Sequence, residues 1–325
     1  MGIRDETGRL RGLGFTADPQ GTVVTALEAA AGPAALALQL PDGTLRPLGP
    51  AAVELLPELG LALLHPEDGR PPGPALSVAQ DAERTDGRQL ALLRPPAPGE
   101  TSAGPHPVGL AGRCTAALLL PEGLHAVPGT LVLTLPPQAA LPGTPVLDTA
   151  TGAVLAVLAP ALRGERPDTV AAAPLTGAGL HRLLRRNAES VPAHGTALNL
   201  AGVLQLAAAQ LHAAVAGPTR IAELAADRTD RADGLTGEEP EDLLTVLVGT
   251  PGSGRSTELA ALAVRRTAGP RPLPTLWLRG ADLAPGDTSL ADPVARALAG
   301  AAARLAVPAP AADRAARLCA DADRP

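Results

Sequence analysis

Residues 142–157 read PGTPVLDTATGAVLAV. In this stretch short apolar runs alternate with turn signals, because Pro142-Gly143 precedes one run and Thr151-Gly152 separates it from the next. Brief apolar runs between turns that contain Gly or Pro are typical of β-strands. The stretch therefore predicts a β-rich fold for this part of the chain.

The same spacing of runs and turns extends over residues 1–175. Many short strands at this spacing predict a β-sandwich or a β-barrel. The Pro- and Gly-rich segment Arg94–Pro107 predicts a loop. The predicted strands lie in the runs Gly21–Ala26, Ala34–Leu40, Leu59–Leu64, Gln89–Leu93, Thr115–Leu120, Thr130–Leu135 and Val154–Leu158.

Beyond Leu175 the pattern changes to helical periodicity, which predicts helices at Leu180–Asn187 and Leu198–Ala216. The polar, mostly acidic segment Asp227–Asp242 predicts a solvated linker. After the linker, strand and helix patterns alternate, an order that predicts an α/β fold. These patterns are strand-like at Leu243–Val248, helical at Ser256–Arg266, strand-like at Thr275–Arg279 and helical at Leu290–Leu305.

The sequence thus predicts a multidomain protein. Its expected parts are an all-β domain (1–175), a helical connector (176–226), an acidic linker (227–242) and the N-terminal part of an α/β domain (243–325).

Composition narrows the classes of function. The 325 residues include 27 basic and 33 acidic side chains, and only 1% are aromatic. A net charge of −6 with so few aromatic rings argues against nucleic-acid binding. Cys114 and Cys319 are too far apart in sequence to suggest a disulfide framework or a cysteine metal site.

No targeting or membrane-spanning pattern is evident. The N-terminal segment Met1–Gly12 is polar and charged, unlike a secretory signal. The most apolar helical stretch, Thr196–Ala216, is interrupted by Asn199, Gln205 and Gln210. We therefore expect a cytoplasmic protein that does not bind membranes.

Residues 249–256 read GTPGSGRS, which matches a phosphate-binding loop except that Arg255 replaces Lys. Glycines let successive backbone N–H groups point at phosphate oxygens, and the following helix presents its positive end to the same anion. The Ser256 hydroxyl is the expected Mg²⁺ ligand. The sequence predicts that ATP and Mg²⁺ bind at Gly249, Thr250, Pro251, Gly252, Ser253, Gly254, Arg255, Ser256 and Thr257.

The replacement of Lys by Arg255 leaves open whether the loop still binds and hydrolyses ATP. A guanidinium keeps the positive charge and can hold phosphate through two hydrogen bonds, but it is not the compact point charge of Lys. Its presence reflects either functional tuning or the absence of Lys from the whole chain. The alternative for this stretch is a plain Gly-rich turn. If the loop binds ATP, we expect that Arg255 weakens or abolishes ATP hydrolysis.

Residues 243–325, with an apolar run, a phosphate loop and the second strand-like run Leu276–Arg279, resemble the start of a NACHT-type, STAND-class signalling NTPase. This resemblance implies ATP binding, a conformational switch and self-assembly into a homo-oligomer on activation. In that family an acidic strand end handles Mg²⁺ and water further along the chain. Asp282 is the nearest acid after a predicted strand, and it matches poorly.

Three segments of the first part are similar to HtrA-like, trypsin-like serine proteases. They are residues 12–28 (GLGFTADPQGTVVTALE), 60–64 (GLALL) and 142–148 (PGTPVLD). In that family, His, Asp and Ser of the catalytic triad stand where Glu28, Gly60 and Pro142 stand here. The resemblance implies a trypsin-like double β-barrel; an unrelated small all-β domain is the alternative.

The triad substitutions predict that peptidase activity is absent. Pro142 has no hydroxyl for attack and no N–H for an oxyanion hole, and Gly60 cannot orient a base. Thr144 is a conceivable substitute nucleophile without a matched base. The six His residues are scattered, without metal-ligand spacing.

The leading hypothesis is a nucleotide-binding signalling protein whose inactive trypsin-like domain senses a ligand or binds a protein partner. The alternatives are an active peptidase coupled to an NTPase, and a scaffold fragment that binds no nucleotide.

Overall fold

The computed structural model describes residues 1–66, 69–80, 87–94, 104–121, 123–135, 140–163, 168–216, 219–226, 246–269, 271–311 and 314. The chain divides into two compact units, Met1–Ala193 and His194–Pro325. The predicted linker, 227–242, lies outside the described residues.

The first unit is built from short antiparallel strands. In chain order they are β1 (Gly2–Asp5), β2 (Leu10–Leu13), β3 (Phe15–Thr16), β4 (Val23–Ala26), β5 (Leu36–Gln39), β6 (Leu45–Leu48), β7 (Val53–Leu56), β8 (Leu61–Leu64), β9 (Leu90–Leu93), β10 (Pro105–Leu120), β11 (Gly123–Thr134), β12 (Pro145–Asp148), β13 (Val154–Leu158) and β14 (Thr169–Pro174). Helix α1 (Leu27–Ala30) follows β4 directly.

These strands form two four-stranded sheets and one closed barrel. The sheets have the orders β2-β1-β5-β6 and β3-β4-β8-β7, and the barrel has the order β10-β11-β14-β13-β12-β9, closed by β9 against β10. Each predicted apolar run overlaps one of the observed strands, so the prediction of a β-rich barrel fold is confirmed.

The core of this unit is aliphatic apart from one ring. Phe15 is the chain's only Phe, and it packs in a cluster that includes Val24 and Leu61 of the sheet β3-β4-β8-β7 and Val157 of the barrel. All residues of β4 and β13 are buried, which explains why β13 is continuously apolar and why Thr25, the polar residue of β4, donates its hydroxyl to the Leu13 carbonyl.

The prediction of a loop over Arg94–Pro107 is wrong at its end, where residues 105–107 belong to β10. Pro105 lies opposite Leu93, and Pro107 lies opposite Ala91. Residues 105–108 pair with β9 alone, since pairing with β11 begins at Gly109. A proline is tolerated where its missing N–H faces no second strand.

Helix α2 (His181–Ser190) belongs to the first unit, although the sequence places it in the connector. Its Asn187 side chain is fully buried; Nδ2 donates to the carbonyls of Ala17 and Leu76, and Oδ1 accepts from Val78 N–H. Arg186 of the same helix donates to the buried Asp18 carboxylate at 2.8 Å. These bonds fasten the helix to the β-rich part of the unit.

The second unit is mainly helical in its described part. It contains α3 (Leu200–Ala213), β15 (Val215–Ala216), β16 (Thr219–Arg220), α4 (Ile221–Ala226), α5 (Arg255–Ala268) and α6 (Ala291–Leu305). The helices predicted at 198–216, 256–266 and 290–305 are confirmed with shifts of a few residues at their ends.

The two predicted strands of this unit are not observed as strands. Residues 246–248 and 275–279 have no strand pairing, and 243–245 lie outside the described residues. Leu276 packs with α3 and α6, whereas Trp277 packs with residues of α4 and α5. Burial on both sides explains the strand-like sequence, but helices supply that burial. The described residues therefore do not support the predicted α/β sheet.

Candidate functional site

Glu28, Gly60 and Pro142, which the resemblance to trypsin-like proteases matches to the triad, lie in one neighbourhood. Leu27 N–H, next to Glu28, donates to the Gly60 carbonyl at 3.0 Å. A methyl group on Gly12 would lie 2.6 Å from the Pro142 carbonyl oxygen and 2.8 Å from Cβ of Ala29. The residues on either side of Glu28 therefore lie close to Gly60 and to Pro142.

Glu28 is held as a desolvated carboxyl. Its Oε1 accepts a hydrogen bond of 2.9 Å from Ala161 N–H, while its Oε2 is buried without a hydrogen-bond partner among the described residues. Burial raises the pKa of Glu28 above its ordinary value, against the lowering effect of the Ala161 bond. Sequence reasoning missed Ala161, since nothing local marks a contact 133 residues away.

Gly60 has a left-handed backbone and lies close to Leu162. It ends the short turn Pro57–Leu59 in a left-handed conformation, with φ of 65°. A Cβ at this position would lie 3.3 Å from Cδ2 of Leu162. A side chain here would fit only if Leu162 shifted by a few tenths of an ångström.

The turn at the nucleophile position is tightly packed. Pro142 accepts a 2.7 Å bond from Leu13 N–H, and Gly143 N–H donates to the Leu158 carbonyl at 2.8 Å. A Cβ on Gly143, whose φ is 80°, would lie 1.8 Å from the Leu13 carbonyl oxygen. Only glycine fits this position.

Thr144 is not available as a nucleophile. Its side chain is buried, and its hydroxyl donates to the Leu141 carbonyl at 2.8 Å. Pro142, Gly60 and Thr144 together offer neither an attacking hydroxyl nor an oriented base.

The histidines do not form an alternative centre. His65 Nε2 lies 3.3 Å from Glu54 Oε2 on the surface. Burial lowers the pKa of His194. Within the described ranges, no three His, Cys, Asp or Glu side chains cluster as a metal site would require.

The predicted phosphate loop turns directly into helix α5. Gly252 and Gly254 have φ of 80° and 82°, and Ser253 N–H donates to the Thr250 carbonyl at 3.1 Å. A methyl group on Gly249 would lie 2.5 Å from Ser253 Oγ. The loop therefore folds back on itself, as a phosphate cradle requires.

The predicted phosphate-site residues lie at the start of α5. Gly254 is the N-cap, and its carbonyl accepts from Glu258 N–H at 2.9 Å. Arg255 and Ser256 are exposed, and Thr257 is half-buried. These backbone donors, one guanidinium and two hydroxyls fit the phosphates of a nucleotide and the oxygen ligands of Mg²⁺. The preceding residues Val246–Val248 do not form the expected strand.

Comparison with known proteins found solved structures that are similar to this chain, but no similar sequence family. No protein family and no curated protein matches the chain. The MamO protease domain of Magnetospirillum magneticum is 16% identical, with a TM-score of 0.38 over 54% of this chain and 90% of that chain.

Two other solved structures give similar values. The inactive form of the Rv3671c protease is 19% identical, with a TM-score of 0.38 over 56% of this chain and 87% of that chain. The HtrA-type protease AlgW with a decapeptide is 17% identical, with a TM-score of 0.36 over 55% of this chain and 51% of that chain.

Within the described part of the chain, no helix has both the length and the apolar character needed to cross a bilayer.

Proposed function

We propose that this protein binds ATP with Mg²⁺ at residues 249–257 and that it is a signalling protein of the STAND type. The observation that carries the proposal is the left-handed pair Gly252 and Gly254, which turns the chain into α5. Left-handed glycines at a helix start let backbone N–H groups converge on an anion.

Each loop residue has an expected role. The backbone N–H groups of the loop contact phosphate oxygens, Arg255 supplies positive charge, and the Ser256 hydroxyl binds Mg²⁺. Gly249 has no side chain, and this lets the loop approach Ser253 closely. Bound Mg²⁺ would screen the charge of the phosphates.

Binding and switching, rather than hydrolysis, form the proposed activity. Hydrolysis needs a group that positions water. Asp282 pairs with Arg279 at 2.8 Å. This ion pair engages Asp282, the nearest acid after a predicted strand, with a neighbouring side chain.

For the first unit we propose a non-catalytic, trypsin-like module that senses a ligand or binds a protein partner. Support comes from three protease-like segments in the family's order, and from the packing that brings Glu28, Gly60 and Pro142 into one neighbourhood. We further propose that nucleotide binding drives self-assembly into a homo-oligomer in the cytoplasm.

A titration with a fluorescent ATP analogue and Mg²⁺ tests nucleotide binding by the full chain. Gly254→Val should abolish saturable binding, because valine cannot adopt a φ of 82° without strain. Gly269→Val at the other end of α5, where φ is −69°, is the matched control and should bind like the parent. Failure of the parent to bind would favour the scaffold alternative.

A fluorophosphonate probe tests the alternative of an active serine peptidase. We expect no covalent labelling of the parent, because position 142 has no hydroxyl and the Thr144 hydroxyl is engaged. Labelling that disappears in Thr144→Val would support a peptidase and contradict the non-catalytic proposal.

A further inference from the structure

The second unit contains a cavity of about 370 Å³ between helices α3 and α6 and the segment 277–282. This volume falls in the range of small-molecule sites, roughly 300 to 1,000 Å³. Its polar and aromatic lining consists of Gln210, Trp277, Arg279, Asp282, Arg296 and Arg304. No residue of 249–257 lines it.

One wall of the cavity is fixed by an amide clamp. Gln210 Nε2 donates to the Trp277 carbonyl at 2.8 Å, and Gln210 Oε1 accepts from Trp277 N–H at 3.0 Å. A side-chain amide thus satisfies both backbone groups of one residue. The segment that carries Trp277 is therefore held to α3 at a defined position, which pre-organises the cavity wall.

Two of the three arginines are also held in place. Arg279 bonds Asp282 at 2.8 Å. Arg296 bonds Asp287 at 2.7 Å and donates to the Asp282 carbonyl at 2.9 Å. The hydrogen bonds from Arg296 hold the pKa of Asp287 at about 2, so the pair stays ionised at neutral pH.

Arg304 differs from these two arginines. It has no hydrogen-bond or ion-pair partner among the described residues. Asp282 and Asp287 neutralise Arg279 and Arg296, so Arg304 carries the uncompensated positive charge of the lining. A concave surface with this charge and an open guanidinium attracts an anion, because carboxylates and phosphates match the planar donor geometry of Arg.

The rest of the lining is small and apolar. Alanines of α3 and α6, together with Pro293 and Gly300, border the charged groups. This combination suits a ligand with one oxyanion group and a compact apolar body, since each part meets its own kind of surface.

We propose that this cavity binds a small organic anion, either a carboxylate or a phosphate monoester, with the oxyanion against Arg304. The site goes beyond the proposed nucleotide function, because it uses none of the loop residues. The two anion classes share the same guanidinium chemistry, and separate probes distinguish them.

Trp277 gives the test a specific signal, because it is the chain's only Trp and it lines the cavity. The full chain is titrated at low salt with benzoate, with phenyl phosphate and with neutral benzyl alcohol, while Trp emission is followed. We expect a saturable change with at least one anion and none with the alcohol. An equal response to the alcohol, or no response to either anion, would overturn the proposal.

Variants at the cavity and elsewhere test the role of Arg304. Arg304→Gln should weaken anion binding at least tenfold, whereas Arg304→Lys should retain part of it because the charge remains. Arg185→Gln in the first unit, at an exposed site, is the matched control and should bind like the parent. Unchanged affinity in Arg304→Gln would contradict the assignment.

The nucleotide proposal and the cavity proposal can fail separately. Gly254→Val should lose the ATP analogue but keep the anion response of Trp277. Unlabelled ATP should not displace the bound anion. Displacement by ATP would mean that the cavity belongs to a nucleotide site, and the proposal of a separate anion site would be wrong.

Discussion

The backbone N–H of Ala161 donates a hydrogen bond of 2.9 Å to Oε1 of Glu28, 133 residues earlier in the chain. Glu28 stands where the resemblance to trypsin-like proteases places the general base. Here the carboxyl is instead a buried structural acceptor, with Oε2 left without a partner among the described residues.

This arrangement predicts a pH-dependent contribution of Glu28 to stability. Burial raises its folded-state pKa above the ordinary value of 4.5. Between these two pKa values the folded chain keeps a proton that the unfolded chain has lost, so the free energy of unfolding falls as pH rises through that window. Glu28→Gln should therefore lose less stability than the parent as the pH rises above 4.5, the ordinary pKa of a glutamate.

Urea unfolding followed by circular dichroism at several pH values measures this difference. The exposed Glu6→Gln is the control, and its pH profile should follow that of the parent. Identical profiles for Glu28→Gln and the parent would show that the buried carboxyl does not act as described.

The turn after Pro142 should tolerate no side chain. Gly143→Ala would bring Cβ to 1.8 Å from the Leu13 carbonyl, so we expect a loss of about 4 kcal/mol or failure to fold. Gly152→Ala also has a positive φ, of 71°, but no atom lies within 4 Å of its Cβ, so it should cost only about 1 kcal/mol. Unfolding free energies of the two variants decide the point; equal values would contradict the close approach.

Asn187 should contribute strongly to the first unit. Asn187→Ala removes three hydrogen bonds and leaves the Ala17 carbonyl without this donor, which should cost about 3 kcal/mol. Ser190→Ala on the same helix removes an exposed hydroxyl and should cost less than about 0.5 kcal/mol. Chemical unfolding is followed by circular dichroism; a loss for Asn187→Ala as small as that control would refute the fastening role of α2.

The clamp on Trp277 gives a prediction for the second unit. Gln210→Ala removes the partners of the Trp277 N–H and carbonyl, so it should cost about 2 kcal/mol and shift Trp emission to longer wavelength. Gln205→Ala, at an exposed site on the same helix, should leave the emission unchanged. An unshifted spectrum for Gln210→Ala would show that the clamp does not hold the indole in place.

Local patterns predicted the strands and helices that depend on local chemistry. Short apolar runs between turns predicted β4, β8 and β13, because strands buried on both sides consist mostly of apolar residues. Helical periodicity of apolar residues predicted α5 and α6, because one face of each helix is buried. The prediction of a strand at Thr275–Arg279 was wrong. A segment packed on two sides has the same apolar sequence pattern whether sheets or helices cover it.

The candidate sites divide in a similar way. Gly252 and Gly254 could be predicted from the sequence, since a left-handed backbone favours glycine at each of these positions. The environment of Glu28 and the cavity beside Trp277 could not be predicted from the sequence. Their partners, Ala161 and Gln210, do not belong to any sequence motif.

By itself, the sequence determined the β-rich first part, the helices and the turns that need glycine, because each depends on residue type at a given position. Only the tertiary structure decided that Glu28, Gly60 and Pro142 share one neighbourhood, that Trp277 is clamped by Gln210, and that Arg304 faces a cavity. These features join residues far apart in sequence, and their energies depend on burial and distance, which exist only once the chain has folded.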